Sequence, residues 1–134
     1  MERAFVMVKP DGMQRKLAGE IILRLERKGL NLQMAKVLHI SPDLAQKHYV
    51  EHREKPFFSE LIAYITSSPV LAMTWSGEDA NALIRQLVGH RNPLQAMPGT
   101  IRGDYAHETT ENLVHASDSA TAEEREIQLF FGGD

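Results

Sequence analysis

Residues 67–89, SSPVLAMTWSGEDANALIRQLVG, place a strand and a helix back to back. Val70-Leu71-Ala72-Met73-Thr74-Trp75 is a short continuous apolar run, entered through Pro69 and stopped at Gly77, which reads as a buried strand. Ala80, Leu83, Ile84, Leu87 and Val88 then recur at helical spacing until Gly89 closes the stripe. The start of the chain repeats the arrangement. Phe5-Val6-Met7-Val8 is a second apolar run, ended by Lys9-Pro10-Asp11-Gly12, which reads as a turn. Ala18, Ile21, Ile22 and Leu25 follow at i, i+3, i+4 and i+7, with Lys28-Gly29 as the stop.

Working outward, the period changes to two after Gly29. Leu30, Leu32, Met34, Leu38 and Ile40 share one face, which predicts a half-buried strand. Ser41-Pro42 opens a helix that runs to His48 and Tyr49, and Phe58, Leu61, Ile62 and Ile65 predict a second short one. The stretch from His90 to Glu111 is rich in Pro, Gly, Asn and Thr, has no periodicity, and reads as a functional or disordered loop. Asn112-Leu113-Val114-His115 is strand-like, and Thr121 with Glu124 suggests a capping box for a last helix carrying Ile127, Phe130 and Phe131 on its core side. With the inserted helical pair set aside, the order is β-α-β-β-α-β. The expectation is a ferredoxin-like α+β sandwich, a four-stranded antiparallel sheet with helices on one face, in one domain over residues 1–134. That fold serves many unrelated activities.

Composition narrows the partners. The 134 residues carry 15 basic and 18 acidic side chains, a net charge of −3, so no global field calls for nucleic acid or an anionic membrane. An anion would have to be held by local arrangement of cations. Cysteine is absent, which excludes disulfides and thiolate metal sites. The apolar run at the N-terminus is too short for a signal peptide, and no stretch approaches the roughly twenty residues of a membrane span, so the expected location is the cytoplasm.

No G-x-x-x-x-G-K-[ST] loop, no G-x-G-x-x-G after a strand, and no H-R-D or D-F-G set is present. What remains is a scatter of polar residues at element ends. Lys9 closes the first strand, Arg85 lies on the helix after Trp75, Arg102 sits in the aperiodic loop, and His115 ends the last strand. Read singly, Lys9 and Arg85 are ordinarily solvated surface charges. His39, His90 and His107 are isolated. His48 and His52 have the i, i+4 spacing of a metal pair, but Tyr49-Val50-Glu51 between them breaks the H-E-x-x-H order and no third ligand is indicated. His115 is followed by Ser117-Asp118-Ser119 and by Glu126 on the next helix. It is either a satisfied structural histidine or a neutral imidazole oriented by a carboxylate, with its other nitrogen free to attack phosphorus.

The segment Asn112-Leu113-Val114-His115-Ala116-Ser117-Asp118-Ser119 closely resembles the N-x-x-H-G-S-D signature of nucleoside diphosphate kinases. Lys9 to Arg15, His48-Tyr49, Arg53 to Phe58, Ser68-Pro69-Val70, Asn92-Pro93 and Pro98 to Asp104 are similar to that family in the same order, over essentially the whole chain. The resemblance implies an enzyme that moves the terminal phosphate of a nucleoside triphosphate to a nucleoside diphosphate, in ping-pong order and with little base specificity. It implies His115 as the phosphorylated nucleophile, with Glu126 and Ser117 orienting its ring. Lys9, Tyr49, Arg85, Arg91, Arg102 and Asn112 would line the nucleotide site, and Phe57 would stack on the base, a contact tolerant of base identity. Mg²⁺ would be held mainly by the nucleotide's phosphates rather than by the protein. The implied assembly is a homotetramer or homohexamer built from dimers, with neither nucleic acid nor membrane as partner.

Three positions depart from the family pattern. Ala116 stands where glycine is usual, a strain if that residue requires positive φ. Arg91 replaces a threonine that commonly touches phosphates. Thr109 replaces a residue that is often apolar and faces the base. The chain also stops at Phe130-Phe131-Gly132-Gly133-Asp134 where many relatives continue into a tail that contributes to subunit contacts. Two rivals belong to other classes: a ferredoxin-like nucleic-acid module, which would need an exposed aromatic and basic sheet face, and an inactive oligomeric scaffold.

Overall fold

The computed structural model describes residues 2–132; Met1, Gly133 and Asp134 lie outside it. In chain order the elements are β1 (Glu2–Val8), α1 (Pro10–Gln14), α2 (Ala18–Arg27), β2 (Asn31–Leu38), α3 (Pro42–His48), a 3-10 turn at Val50–His52, α4 (Phe58–Ile65), β3 (Val70–Gly77), α5 (Ala80–Val88), α6 (Ile101–Tyr105), β4 (Val114–Ala116) and α7 (Ala120–Phe131). The strands form one antiparallel sheet in the order β2-β3-β1-β4. This is the predicted α+β architecture, with the first and third strands at the centre.

The central strands owe their uninterrupted apolar runs to burial on both faces. Ala4, Val6 and Val8 of β1 and Leu71, Met73 and Trp75 of β3 pack with Ile21 and Leu25 of α2 and Ile84 and Val88 of α5. Their neighbours Phe5, Met7, Val70 and Ala72 point the other way, onto Ala45 of α3, Ile65 of α4, and Ile127 and Phe130 of α7. The helical pair and the last helix therefore cover the face that a simple sandwich would leave open. Helices lie on both sides of the sheet, not one.

Local readings differ from the expectations at four places. Lys9–Gly12 is not a turn but the entry to α1, because Pro10 suits the first helical position as well as it suits a turn. β2 is exposed or half-exposed along its length, and its register shifts between Leu32 and Met34, which breaks the simple alternation. The aperiodic loop contains α6, capped by Thr100 accepting from the Gly103 amide. The last helix starts earlier than the Thr121 box, with Ser119 accepting from the Ala122 amide. Among the described residues no helix is long and apolar enough to cross a membrane.

Gly12 sets how closely α1 approaches the segment before β4. A Cβ there would meet the Leu113 carbonyl oxygen at 2.6 Å and Val8 Cγ1 at 2.8 Å. Gly12→Ala is expected to destabilise the fold by about 1–3 kcal/mol in urea unfolding; unchanged stability would show that the two backbones separate freely.

Candidate active site

Where β1 ends, the chain is tied to the start of β4. The Lys9 amide donates to the Leu113 carbonyl at 2.9 Å, and the Leu113 amide donates to Asp11 Oδ2 at 3.0 Å. Asp11 is itself held by Tyr64, whose hydroxyl donates to Asp11 Oδ1 and accepts from the Asp11 amide. Leu113 has φ +78°, unusual for a non-glycine residue and costing on the order of 1–3 kcal/mol. The backbone reversal there leaves the Leu113 side chain in the core while Asn112 and His115 come to the rim of one cavity. Ala116, by contrast, pairs with Val6 in β4 and is not among the positive-φ residues, so the expected strain does not arise there.

His115 lies beside Met7 in the β1–β4 register. Its Nε2 is 2.8 Å from Glu126 Oε2, and Ser117 Oγ donates to Glu126 Oε1. Burial pushes the Glu126 carboxyl up, but the hydrogen bond from His115, the adjacent His115 and His48 rings and the Ser117 hydroxyl outweigh it and hold the group at about 2. An ionised carboxylate can only accept. The shared proton therefore belongs to Nε2, and the Nδ1 lone pair is left available.

Six cations, Lys9, Lys55, Arg85, Arg91, Arg102 and Arg125, line the same cavity of about 1200 Å³ from distant parts of the chain. Lys9 Nζ donates to the Thr110 carbonyl at 2.8 Å and to Asn112 Oδ1 at 3.0 Å. Burial, then the nearby Arg102 charge, lower its pKa to about 8. Arg102, on α6, donates to the carbonyls of Gly89 at 3.1 Å and Val114 at 2.6 Å; burial and the Arg85 and Arg91 charges lower it to about 10. Arg85, on α5, reaches the Ser117 carbonyl at 3.4 Å. The hydrogen-bond anchors of Lys9, Arg102 and Arg85 are neutral oxygens rather than carboxylates, although the Asp11 and Glu111 charges partly offset the lowering at Lys9. Such a site suits a polyanion. Arg91 is exposed and lines the same cavity.

At the open side, Phe57 is 43% exposed, with the His52 ring 5.6 Å from its own and Lys55 Nζ 5.6 Å over its face. Tyr49 packs edge-on against His48 at 4.6 Å, and burial raises its phenol to about 12. Thr109 lines the cavity nearby. Every residue expected from the sequence to serve the site lines this cavity except Ser117, which stands buried behind Glu126.

Sequence reasoning missed three participants. Asp11 and Tyr64 act on the backbone of Leu113, a contact between residues far apart in the chain that no local pattern announces. His48 was paired by spacing with His52. In the fold it leaves His52 and joins His115, ring centroids 4.9 Å apart, with Nδ1 3.4 Å from Glu126 Oε2. Its adjacency to Tyr49 in a family-like segment was the one available signal.

Known proteins bear on this arrangement. A family model described as nucleoside diphosphate kinase matches residues 2–134. A nucleoside diphosphate kinase of Bacillus licheniformis is 58% identical over 134 residues, covering 100% of this chain and 90% of the relative. One from Archaeoglobus fulgidus is 59% identical, covering 100% and 89%. Among solved structures, an apo nucleoside diphosphate kinase from Encephalitozoon cuniculi superposes with a TM-score of 0.96 at 44% identity, covering 98% of this chain and 90% of that one. A halophilic nucleoside diphosphate kinase from Halobacterium salinarum, in complex with CDP, gives 0.94 at 53% identity, covering 97% and 87%.

The buried His48 makes the site a source of acid sensitivity. Burial, with the adjacent His115 ring next, lowers its pKa from 6.5 to about 3. Between those values the unfolded chain binds a proton that the folded chain refuses, so stability is lost as pH falls through the window. Glu126 acts in the same direction only below 4.5. From pH 6.5 down to 4.5, the wild-type loss in urea unfolding should exceed that of His48→Phe by up to roughly 2 kcal/mol. Parallel losses would mean that His48 protonates freely in the fold.

Proposed function

The chain belongs to the nucleoside diphosphate kinase family, and from that premise we propose that its phosphotransfer runs through His115 in two half-reactions. The observation that carries the reading is the 2.8 Å contact from His115 Nε2 to an ionised Glu126. It keeps the proton on Nε2 and the lone pair on Nδ1. In the first half-reaction Nδ1 attacks the terminal phosphorus of a nucleoside triphosphate, an N–P bond forms, and the bond to the bridging oxygen breaks with departure of the diphosphate. In the second, a terminal phosphate oxygen of another nucleoside diphosphate takes the phosphoryl group and the imidazole is restored. No separate base is required, since a neutral nitrogen attacks without first losing a proton.

Lys9, Arg85 and Arg102 would neutralise charge on the transferred group, with Arg91 a further cation at the rim and Asn112 and Tyr49 completing the phosphate and sugar contacts. Phe57 offers an exposed ring for stacking on the base, which explains weak base selectivity. Magnesium, when bound, supplies further charge neutralisation on the phosphate oxygens. Glu126 is committed to His115 and Ser117, while Asp118 and Glu51 line the cavity as exposed carboxylates. That set fits a hard cation that arrives on the nucleotide and keeps its waters, rather than one caged by protein.

The partner readings rest on exposure. Phe5 and Trp75, the aromatic residues of the central strands, are fully buried, which supports a protein without a nucleic-acid partner. β2 is an unpaired edge bearing Leu32, Met34 and Val37, all exposed, which supports a homo-oligomer built from dimers. The absence of cysteine and of any membrane-length helix among the described residues supports a cytoplasmic location.

Incubation with γ-labelled ATP followed by denaturation should leave acid-labile, base-stable label on the wild-type chain. His115→Ala should lose both the label and at least about 10³-fold of the transfer rate while remaining folded. Label that survives this substitution, or never forms on the unaltered chain, would remove His115 as the nucleophile. Met34→Lys combined with Val37→Lys should lower the mass measured by light scattering to that of a monomer; an unchanged mass would move the subunit interface elsewhere.

A further inference from the structure

Behind the cavity floor, His48, His115 and Glu126 each offer one donor atom, all within 4.8 Å of one another. Two imidazole nitrogens converge on a single carboxylate oxygen: His115 Nε2 is 2.8 Å and His48 Nδ1 3.4 Å from Glu126 Oε2. The His48 side chain is only 1% exposed, and neither of its ring nitrogens has a hydrogen-bond partner among the described residues. A buried, unsatisfied imidazole aimed at a carboxylate is costly unless something else takes its lone pair. The phosphotransfer described above gives this ring no task.

We propose that His48, His115 and Glu126 form a binding site for a zinc-class divalent cation, and that its occupancy switches the nucleophile off. Two imidazoles and one carboxylate with a fourth position open is a common ligand set for zinc and a poor one for magnesium, which prefers oxygen. Metal–ligand bonds of about 2.0–2.1 Å in tetrahedral geometry put donor atoms roughly 3.3 Å apart; the two nitrogens lie 2.8 and 3.4 Å from the Glu126 oxygen, and all three donors fall within 4.8 Å of one another. The His115 side chain is 26% exposed, so the ion has a route from the cavity and solvent can supply the fourth ligand.

The switch follows from the count of protons. In the resting ring, Nε2 carries the single proton and Nδ1 the free lone pair. The ion takes the Nε2 lone pair, Nε2 gives up its proton to solvent, and the neutral ring regains one on Nδ1. Glu126 changes from hydrogen-bond acceptor to ligand. Nδ1 then has no lone pair for phosphorus. Binding rests on the donor geometry alone, whereas the inhibitory consequence rests on the reading of His115 as nucleophile.

The test uses the full chain without nucleotide, titrated with Co²⁺ as a spectroscopic stand-in and with Zn²⁺. One Co²⁺ per chain should bind with the intense visible bands of four-coordinate cobalt and be displaced by Zn²⁺. His48→Phe, which deletes a ligand, should weaken binding by at least about a hundredfold. The ring ¹⁵N resonances of His115, which need no variant, should show a metal-bound Nε2 and a protonated Nδ1 at zinc saturation. Labelling by γ-labelled ATP should fall in step with zinc occupancy. Ring nitrogens that do not move at saturating zinc, or His48→Phe binding as tightly as the unaltered chain, would overturn the site. Label absent even without zinc would instead overturn His115 as nucleophile and leave the binding result standing.

Discussion

The Asp11 carboxylate accepting the Leu113 amide is the constraint on which the rest of the site depends. It joins the end of β1 to the beginning of β4 and holds Leu113 in a left-handed conformation that its side chain does not favour. The reciprocal bond from the Lys9 amide to the Leu113 carbonyl completes the tie. Lys9, Asn112 and His115 thereby meet at one end of the paired strands β1 and β4, although the first lies over a hundred residues from the others. Gly12, with no side chain to hold the two segments apart, makes the approach sterically feasible.

Around that tie the charges are arranged in two different ways. The cations Lys9, Arg85 and Arg102 are anchored by carbonyl and amide oxygens, which orient them without a direct hydrogen bond to a carboxylate. Burial and mutual repulsion lower the pKa values of Lys9 and Arg102, a cost that an incoming polyanion would relieve. Glu126 is the opposite case. It is ionised, buried and surrounded by donors, and in the resting site it controls a neighbouring ring. The division is chemically sensible. A carboxylate placed behind the imidazole sets its tautomer.

The departures from the family pattern resolve unequally. Ala116 sits in regular β4 pairing, and its methyl group meets no positive-φ requirement. Arg91 adds a further cation to the cavity wall and contributes to lowering Arg102. Thr109 reaches the cavity and its backbone carbonyl also accepts from Asn112 Nδ2, a role that any residue at 109 could fill.

The strand and helix order, the buried central strands and the residues of the family-like motifs were readable along the chain, because apolar periodicity and short motifs are local properties. His115, Glu126, Lys9 and Arg102 could be named from the sequence for the same reason. Four things needed the fold. The covering of the second sheet face, the α6 helix inside an aperiodic loop, the Asp11–Tyr64 hold on Leu113, and the transfer of His48 from His52 to His115 all arise from contacts between distant segments. Chain distance alone cannot tell which of two equally plausible partners a side chain meets. Sheet topology decides it, since pairing β4 with β1 and laying α3 and α7 on the same face leaves room for only one set of neighbours.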